Sequence, residues 1–300
     1  MKIKVLVCDR IADEGIKLME EKGYEITNCC DLQKTQLPSI IGNYDAIIVR
    51  SATKVTADLI ENAKKLRVIG RAGEGLDNID MKKAAEKGIE IVNTPHVAAV
   101  SVAELTMGHL LALARNIVEG TISLREGRWA KEELMGVEIN GKTLGIIGCG
   151  SIGKTVERLA LALGMKVIGV DMCVYGRFVT LEEMLPEADF ITIHVPLTPH
   201  TRHILSTKEF DMMKDGVMLI DCSRGGVVDQ EALYQALVSG KVKAAALDVF
   251  EEEPPKDSKL LKLKNVQATP HVGAQTHEAQ LRAGVLIAKK VIEALEKSVS

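Results

Sequence analysis

Leu144-Gly145-Ile146-Ile147-Gly148-Cys149-Gly150-Ser151-Ile152-Gly153, answered by Lys166-Val167-Ile168-Gly169-Val170-Asp171, is the stretch that decides the fold. An apolar run stops at a glycine-rich turn, a helix-like pattern covers 155–163, and a second apolar run ends in an acid 18 positions beyond Gly153. This is the strand, turn, helix and strand that a dinucleotide needs. Gly148 lets the chain leave the strand sharply, Gly150 lets backbone approach a pyrophosphate, and Gly153 lets the helix lie close to the sheet. Ser151 and Ile152 open the helix, whose unpaired N–H groups and positive dipole end suit phosphate. Asp171 can accept hydrogen bonds from ribose hydroxyls and would repel a phosphate there, which favours NAD over NADP.

Working outward, 300 residues predict two domains. An apolar fraction of 46%, a charged fraction of 26% and a net charge of −3 describe an ordinary globular protein, with no general attraction for nucleic acid or an anionic membrane. No apolar stretch reaches the ~20 residues of a membrane span, and the opening 1–7 reads as a strand without a cleavage site, so the expected location is the cytoplasm. Cys8, Cys29, Cys30, Cys149, Cys173 and Cys222 lack metal-binding spacing, and no metal is expected. Adjacent Cys29 and Cys30 read as buried strand-end thiols rather than a redox pair.

Before the glycine turn, strands are predicted at 3–7, 46–49, 68–69 and 89–92, with helices at 12–21, 56–64 and 81–87, which gives a small α/β domain. Ser101 and Glu104 have the spacing of a capping box ahead of the apolar stretch 105–114. Its near-continuous apolarity predicts burial on several sides, between domains or against a second copy, with burial inside one domain as good a reading as a dimer interface. After the turn, strands at 190–194, 217–221 and 244–249 and helices at 181–185 and 230–238 complete a doubly wound sheet, and 279–295 forms a final helix.

Three downstream loops offer chemistry. Arg224 follows a predicted strand in Asp221-Cys222-Ser223-Arg224-Gly225-Gly226, where open α/β sheets place ligands. Glu253 closes Asp248-Val249-Phe250-Glu251-Glu252-Glu253, and His271 lies in Thr269-Pro270-His271-Val272-Gly273-Ala274. Histidine exchanges protons near neutral pH, and a carboxylate beside it orients the ring and favours its cation. Periodicity does not bring these three together.

With Gly148 to Gly153 and Asp171, His194-Val195-Pro196-Leu197-Thr198, Ser223-Arg224-Gly225-Gly226, Asp248-Val249-Phe250 with Glu253-Pro254, and Thr269-Pro270-His271, the chain resembles the NAD-dependent D-isomer-specific 2-hydroxyacid dehydrogenases over essentially its full length. The resemblance implies that Arg224 holds a substrate carboxylate, that His271 exchanges the proton, and that Glu253 partners it. It adds Ser151, Ile152, Asp171, His194, Pro196, Cys222, Ser223, Asp248, His271, Gly273 and Ala274 as cofactor contacts. It also implies a Rossmann-type domain, 95–274, inserted into a smaller flavodoxin-like substrate domain made of 1–94 and 275–300, with catalysis in a closing cleft between them. A homodimer is expected.

Within that family, Arg50-Ser51-Ala52-Thr53 and 71–80 look most like 3-phosphoglycerate dehydrogenases. Arg50 with Lys54 then neutralises a phosphate, Ser51 and Glu74 adjoin substrate, and N–H groups around Gly73 receive a carboxylate. Two positions depart from the family pattern: Glu74 puts an acid beside an anionic substrate, and Ala98 stands where many members have asparagine. The expected reaction is 3-phosphoglycerate to 3-phosphohydroxypyruvate, in serine and hence amino-acid biosynthesis. The sequence stops soon after the helix beyond His271, so feedback through an added serine-binding domain is not expected. Alternatives are a glyoxylate or hydroxypyruvate reductase and, from another class, an NAD-sensing corepressor.

Overall fold

The computed structural model describes residues 2–170 and 177–297. Asp171 and Cys173 lie outside them. The chain forms two compact units, one from 1–98 with 275–300 and the other from 99–274. Residues 95–98, expected in the middle unit, belong to the first. The Thr94 N–H donates to the Gly73 carbonyl, the His96 N–H to Glu74, and the Arg282 guanidinium to the Val97 carbonyl, so hydrogen bonds tie that stretch down.

In the first unit, strands β1 (Lys4–Val7), β2 (Glu25–Asn28), β3 (Ala46–Val49), β4 (Val68–Arg71) and β5 (Glu90–Asn93) form a parallel sheet of order β2-β1-β3-β4-β5. This is the flavodoxin-like order. Val5 and Val7 face one side of the sheet and Leu6 and Cys8 the other, so the β1 sequence feeds two cores because parallel strands are buried on both faces. Helix α1 (Asp13–Glu21) and the helix His277–Lys297 cover one face, where Ile287, Val291 and Leu295 join Val5, Val7, Met19 and Val68. The two helices meet backbone to backbone. A Cβ on Gly15 would lie 2.3 Å from the Gly284 carbonyl oxygen, an approach that only glycine permits. Helices α2 (Leu37–Ile40), α3 (Ala57–Asn62) and α4 (Met81–Glu86) complete the unit. Thr56 and Asp80 cap the last two through their side chains.

The second unit opens with α5 (Ala99–Ala114) and α6 (Ile117–Arg125). The predicted capping box at Ser101 is not present: the helix already runs from Ala99, and Ser101 is buried inside its first turn. The apolar stretch is explained within the unit, since α5 packs on α7 (Ser151–Ala162) and on two strands of the second sheet. That sheet comprises β6 (Thr143–Ile147), β7 (Lys166–Val170), β8 (Arg177–Phe178), β9 (Phe190–Ile193), β10 (Val217–Asp221), β11 (Val242–Leu247) and β12 (Val266–Ala268). Its order, β12-β11-β10-β9-β6-β7-β8, is parallel throughout and reverses direction between β6 and β9. Counted from β6, this is the doubly wound dinucleotide order carried one strand further. Helices α8 (Leu181–Met184), α9 (Thr207–Met212) and α10 (Gln230–Ser239) supply crossovers. Among the described residues, no helix is long and apolar enough to cross a membrane.

Candidate functional site

All seven strands of the second sheet point the same way, so the glycine turn and the loops expected to carry chemistry leave its carboxyl edge. The glycine turn follows β6, His194 follows β9, Ser223 and Arg224 follow β10, Asp248 follows β11 and His271 follows β12. The switch point between β6 and β9 is where such sheets bind ligands. There the His194 N–H closes on the Ile147 carbonyl at 2.7 Å.

The glycine turn fits a dinucleotide phosphate. Gly148 sits at φ +94°, and a Cβ on Gly153 would lie 2.1 Å from the Gly148 oxygen, so turn and helix are packed against each other. A Cβ on Gly150 meets nothing within 4 Å, which leaves a space bounded by backbone at the start of α7. N–H groups at that helix end would hold the pyrophosphate. Ser151 and Ile152 are half-buried beside it. Cys149, within the turn, is disulfide-bonded, while Cys8, Cys29, Cys30 and Cys222 are free, as expected for Cys29 and Cys30.

The His194 ring accepts or donates one hydrogen bond, between Nε2 and the Thr192 hydroxyl at 3.0 Å, and its buried Nδ1 has no partner among the described residues. Burial pulls the imidazole down to about 3, although the residue as a whole is only half-buried. Pro196 is exposed. In the β10 turn, the buried carboxyl of Asp221 accepts the Ser223 N–H at 2.9 Å and hydroxyl at 2.6 Å. Burial pushes that carboxyl up to about 6 against these bonds. Cys222 is buried, which raises its thiol well above the ordinary range. Arg224 follows, half-buried, with Nη1 on the Ser223 carbonyl at 2.8 Å.

His271 Nδ1 lies 2.8 Å from Glu253 Oε2. The sequence separates them by 18 residues, yet both side chains keep more than a third of their surface exposed, as a reacting pair requires. Burial works to raise the Glu253 carboxyl, but His271, the Phe250 N–H at 3.2 Å and the charge of Arg224 outweigh it and hold Glu253 below the usual carboxylate range. Asp248 is buried and accepts from the Thr269 hydroxyl, the Val272 N–H and the Gly273 N–H. It anchors the loop that carries His271, with Ala274 half-buried at its end.

The expected substrate residues lie in the first unit. Arg50 and Ser51 ride on a loop held from below by Asp9, which sequence reading missed. Its carboxylate accepts the N–H of Arg50 at 2.6 Å, the N–H of Thr53 at 3.0 Å, the Thr53 hydroxyl at 2.7 Å and Lys34 Nζ at 3.0 Å. Burial opposes ionisation of Asp9, but those donors win and lower its pKa. Asn78 fixes the same loop by donating to the carbonyls of Arg50 and Thr53. Glu74, the unexpected acid, is not left to face an anion alone. It accepts the His96 N–H at 3.3 Å and lies 3.9 Å from that imidazole, while Gly73 beside it adopts φ +157°.

A glycine turn at the switch point of a doubly wound sheet, with an acid-paired histidine and an arginine on the same carboxyl edge, defines a dinucleotide-binding α/β protein. Residues 107–273 match the model of the D-isomer specific 2-hydroxyacid dehydrogenase NAD binding domain. The chain is 49% identical to D-3-phosphoglycerate dehydrogenase of Methanocaldococcus jannaschii over 98% of its own length and 57% of that protein's. It is 50% identical to hydroxypyruvate reductase of Thermotoga maritima, covering 98% of this chain and 99% of the relative. The TT0316 protein of Thermus thermophilus superposes with a TM-score of 0.91 at 34% identity, over 98% and 97% of the two chains. The protein belongs to the D-isomer specific 2-hydroxyacid dehydrogenase family, and its middle unit is the family's NAD-binding domain. It spans little more than half the length of the phosphoglycerate dehydrogenases it matches.

Proposed function

We propose that this protein is an NAD-dependent D-2-hydroxyacid dehydrogenase acting on 3-phosphoglycerate to give 3-phosphohydroxypyruvate, the first step of serine biosynthesis. The observation that carries the reading is the 2.8 Å contact between His271 and Glu253 on the sheet edge that also bears Arg224 and the glycine turn. Bound NAD supplies the hydride acceptor. Arg224 binds the substrate carboxylate and polarises the neighbouring carbonyl as it forms. With Nδ1–H donated to Glu253, Nε2 of His271 is bare and takes the hydroxyl proton, and Glu253 stabilises the resulting imidazolium. The first unit is the substrate domain in this reading, with Arg50 near the phosphate and Ser51, Gly73 and Glu74 around the substrate.

A second reading, hydroxypyruvate reductase, is favoured by the end-to-end match with the Thermotoga maritima enzyme. A panel of phosphorylated and unphosphorylated 2-hydroxy and 2-keto acids, run with NAD(H) and NADP(H) in parallel, separates the two. We expect kcat/KM at least tenfold higher for the phosphorylated acid and for NAD. No preference for phosphate defeats the first reading, and no turnover with any acid defeats both.

We also infer a homodimer and cytoplasmic residence. Ile117, Leu124, Trp129 and Met135 are large apolar side chains more than half exposed on one stretch of the second unit, and a second copy is the partner that would cover them. A monomer by light scattering at micromolar concentration removes the dimer. The four free cysteines support cytoplasmic residence and the disulfide at Cys149 opposes it, so recovery of the protein outside the cytoplasmic fraction removes that inference.

A further inference from the structure

His271 sits at φ +52°, a left-handed conformation that strains any residue with a Cβ. Such strain persists only where neighbouring contacts over-determine it. Here the N–H groups of the next two residues both run to one buried carboxylate, Val272 to Asp248 Oδ1 at 2.8 Å and Gly273 to Oδ2 at 2.9 Å. The His271 N–H itself turns back onto the Thr269 carbonyl at 3.0 Å. Asp248 therefore sets the backbone of the His271 loop, and what aims Asp248 matters.

The Thr269 hydroxyl donates to Asp248 Oδ1 at 2.6 Å. A hydroxyl has one hydrogen, so the group on its other side must be a donor. That group is Nε2 of His109, 3.1 Å away and buried on α5. Nε2 then carries the ring proton and Nδ1 is bare. Gln267 Nε2 lies 3.1 Å from Nδ1 and 2.9 Å from the His109 carbonyl oxygen. Two acceptors on one side require the amide nitrogen there, so the Gln267 orientation is dictated as well. Burial lowers the His109 pKa, which keeps the ring neutral, although the charge of Asp248 opposes the shift.

We propose that His109 is a positioning residue: a one-way hydrogen-bond chain from Gln267 through His109 and Thr269 aims Asp248, and through it the backbone that bears His271. The catalytic consequence rests on the proton-transfer role given to His271 above, but the chain itself is testable without it. Long-range 1H–15N correlation of the His109 ring is expected to show protonated Nε2 and bare Nδ1 from pH 6 to 8. A Nδ1–H tautomer or an imidazolium at pH 7 overturns the proposal.

In His109→Met the amide exchange of Val272 and Gly273 should quicken, and kcat should fall about tenfold, the effect of one lost buried hydrogen bond. NADH affinity should stay within twofold. His109→Gln, whose amide N–H falls near Nε2, should restore most of both. Thr269→Val should match His109→Met, and the double variant should be no worse than the poorer single one, because both cut the same chain. Losses that multiply in the double variant, or a lower melting temperature with unchanged exchange and kcat, show an ordinary packing role and reject the proposal. A His271→Gln control that keeps its turnover would defeat the proton-transfer reading alone, because ring tautomer and amide exchange still decide the chain.

Discussion

Alanine at Gly150 and alanine at Gly153 should separate two tasks of the glycine turn. At Gly153 the new Cβ would stand 2.1 Å from the Gly148 oxygen, 3.1 Å from its carbonyl carbon and 3.3 Å from Ile146 Cγ2. Restoring ordinary contact requires the start of α7 to move about 1 Å away from the turn, and overpacking of this kind costs about 1–3 kcal/mol. Alanine's better helix propensity returns at most about 1 kcal/mol of that. At Gly150 the Cβ meets nothing, and φ is −69°, so the folded protein should lose less than about 0.5 kcal/mol. The methyl would instead occupy the space through which a pyrophosphate reaches the helix N–H groups. Denaturant melts and NADH titrations on both variants give the check. Gly153→Ala should lose stability and affinity together, whereas Gly150→Ala should lose at least tenfold in NADH affinity at unchanged stability. Wild-type NADH affinity in Gly150→Ala would refute the placement of phosphate at this helix end.

Further outcomes follow from the same geometry. His271→Gln should lower kcat by about 10²–10⁴-fold, the range for a general acid–base group, with NADH binding preserved by titration. Asp221 is raised to about 6 in the folded protein against 3.8 unfolded, so between pH 4 and 6 the folded state keeps a proton that the unfolded state has lost. Its contribution is fully present below pH 4 and disappears as pH rises through 6, by about 3 kcal/mol. Asp221→Asn should therefore gain stability relative to wild type across that window, and a pH-independent difference in urea melts would count against it. Gly15→Ala drives a methyl into the Gly284 carbonyl and should cost about 1–3 kcal/mol by denaturant midpoint; an unchanged midpoint would mean that the two helices are free to part.

The central strands were readable because parallel strands buried on both faces are unbroken apolar runs, as in 46–49 and 217–220. Strand β2 was not, since Glu25-Ile26-Thr27-Asn28 is an edge strand with exposed ends and no apolar run. Helix α6 escaped for the opposite reason: its apolar residues Ile117, Val118, Ile122 and Leu124 are largely exposed, so they follow no core-facing period. Loops that leave strand ends were legible as places for chemistry, but their meeting was not. His271 reaches Glu253 across 18 residues, and Gln267 reaches His109 across 158. The strand-end acid Asp9 carried a signal that went unused, because it ends an apolar run as Asp171 does. Cys8 and Cys29, whose sulfurs stand 3.4 Å apart, meet only because β1 and β2 pair in register.

The helix His277–Lys297 supplies Ile287, Val291 and Leu295 to the core that β1, β3 and β4 begin. During synthesis the five strands of that first sheet emerge with only α1 on the face that this helix will share. The intervening unit, about 180 residues long, has all its own parts and can finish first. At the ~5–20 residues per second of translation, the uncovered part of that valine and isoleucine face waits on the order of 10–40 s. The first unit to be made is thus the last to fold, and a holdase that shields apolar strands would find its longest-lived target there.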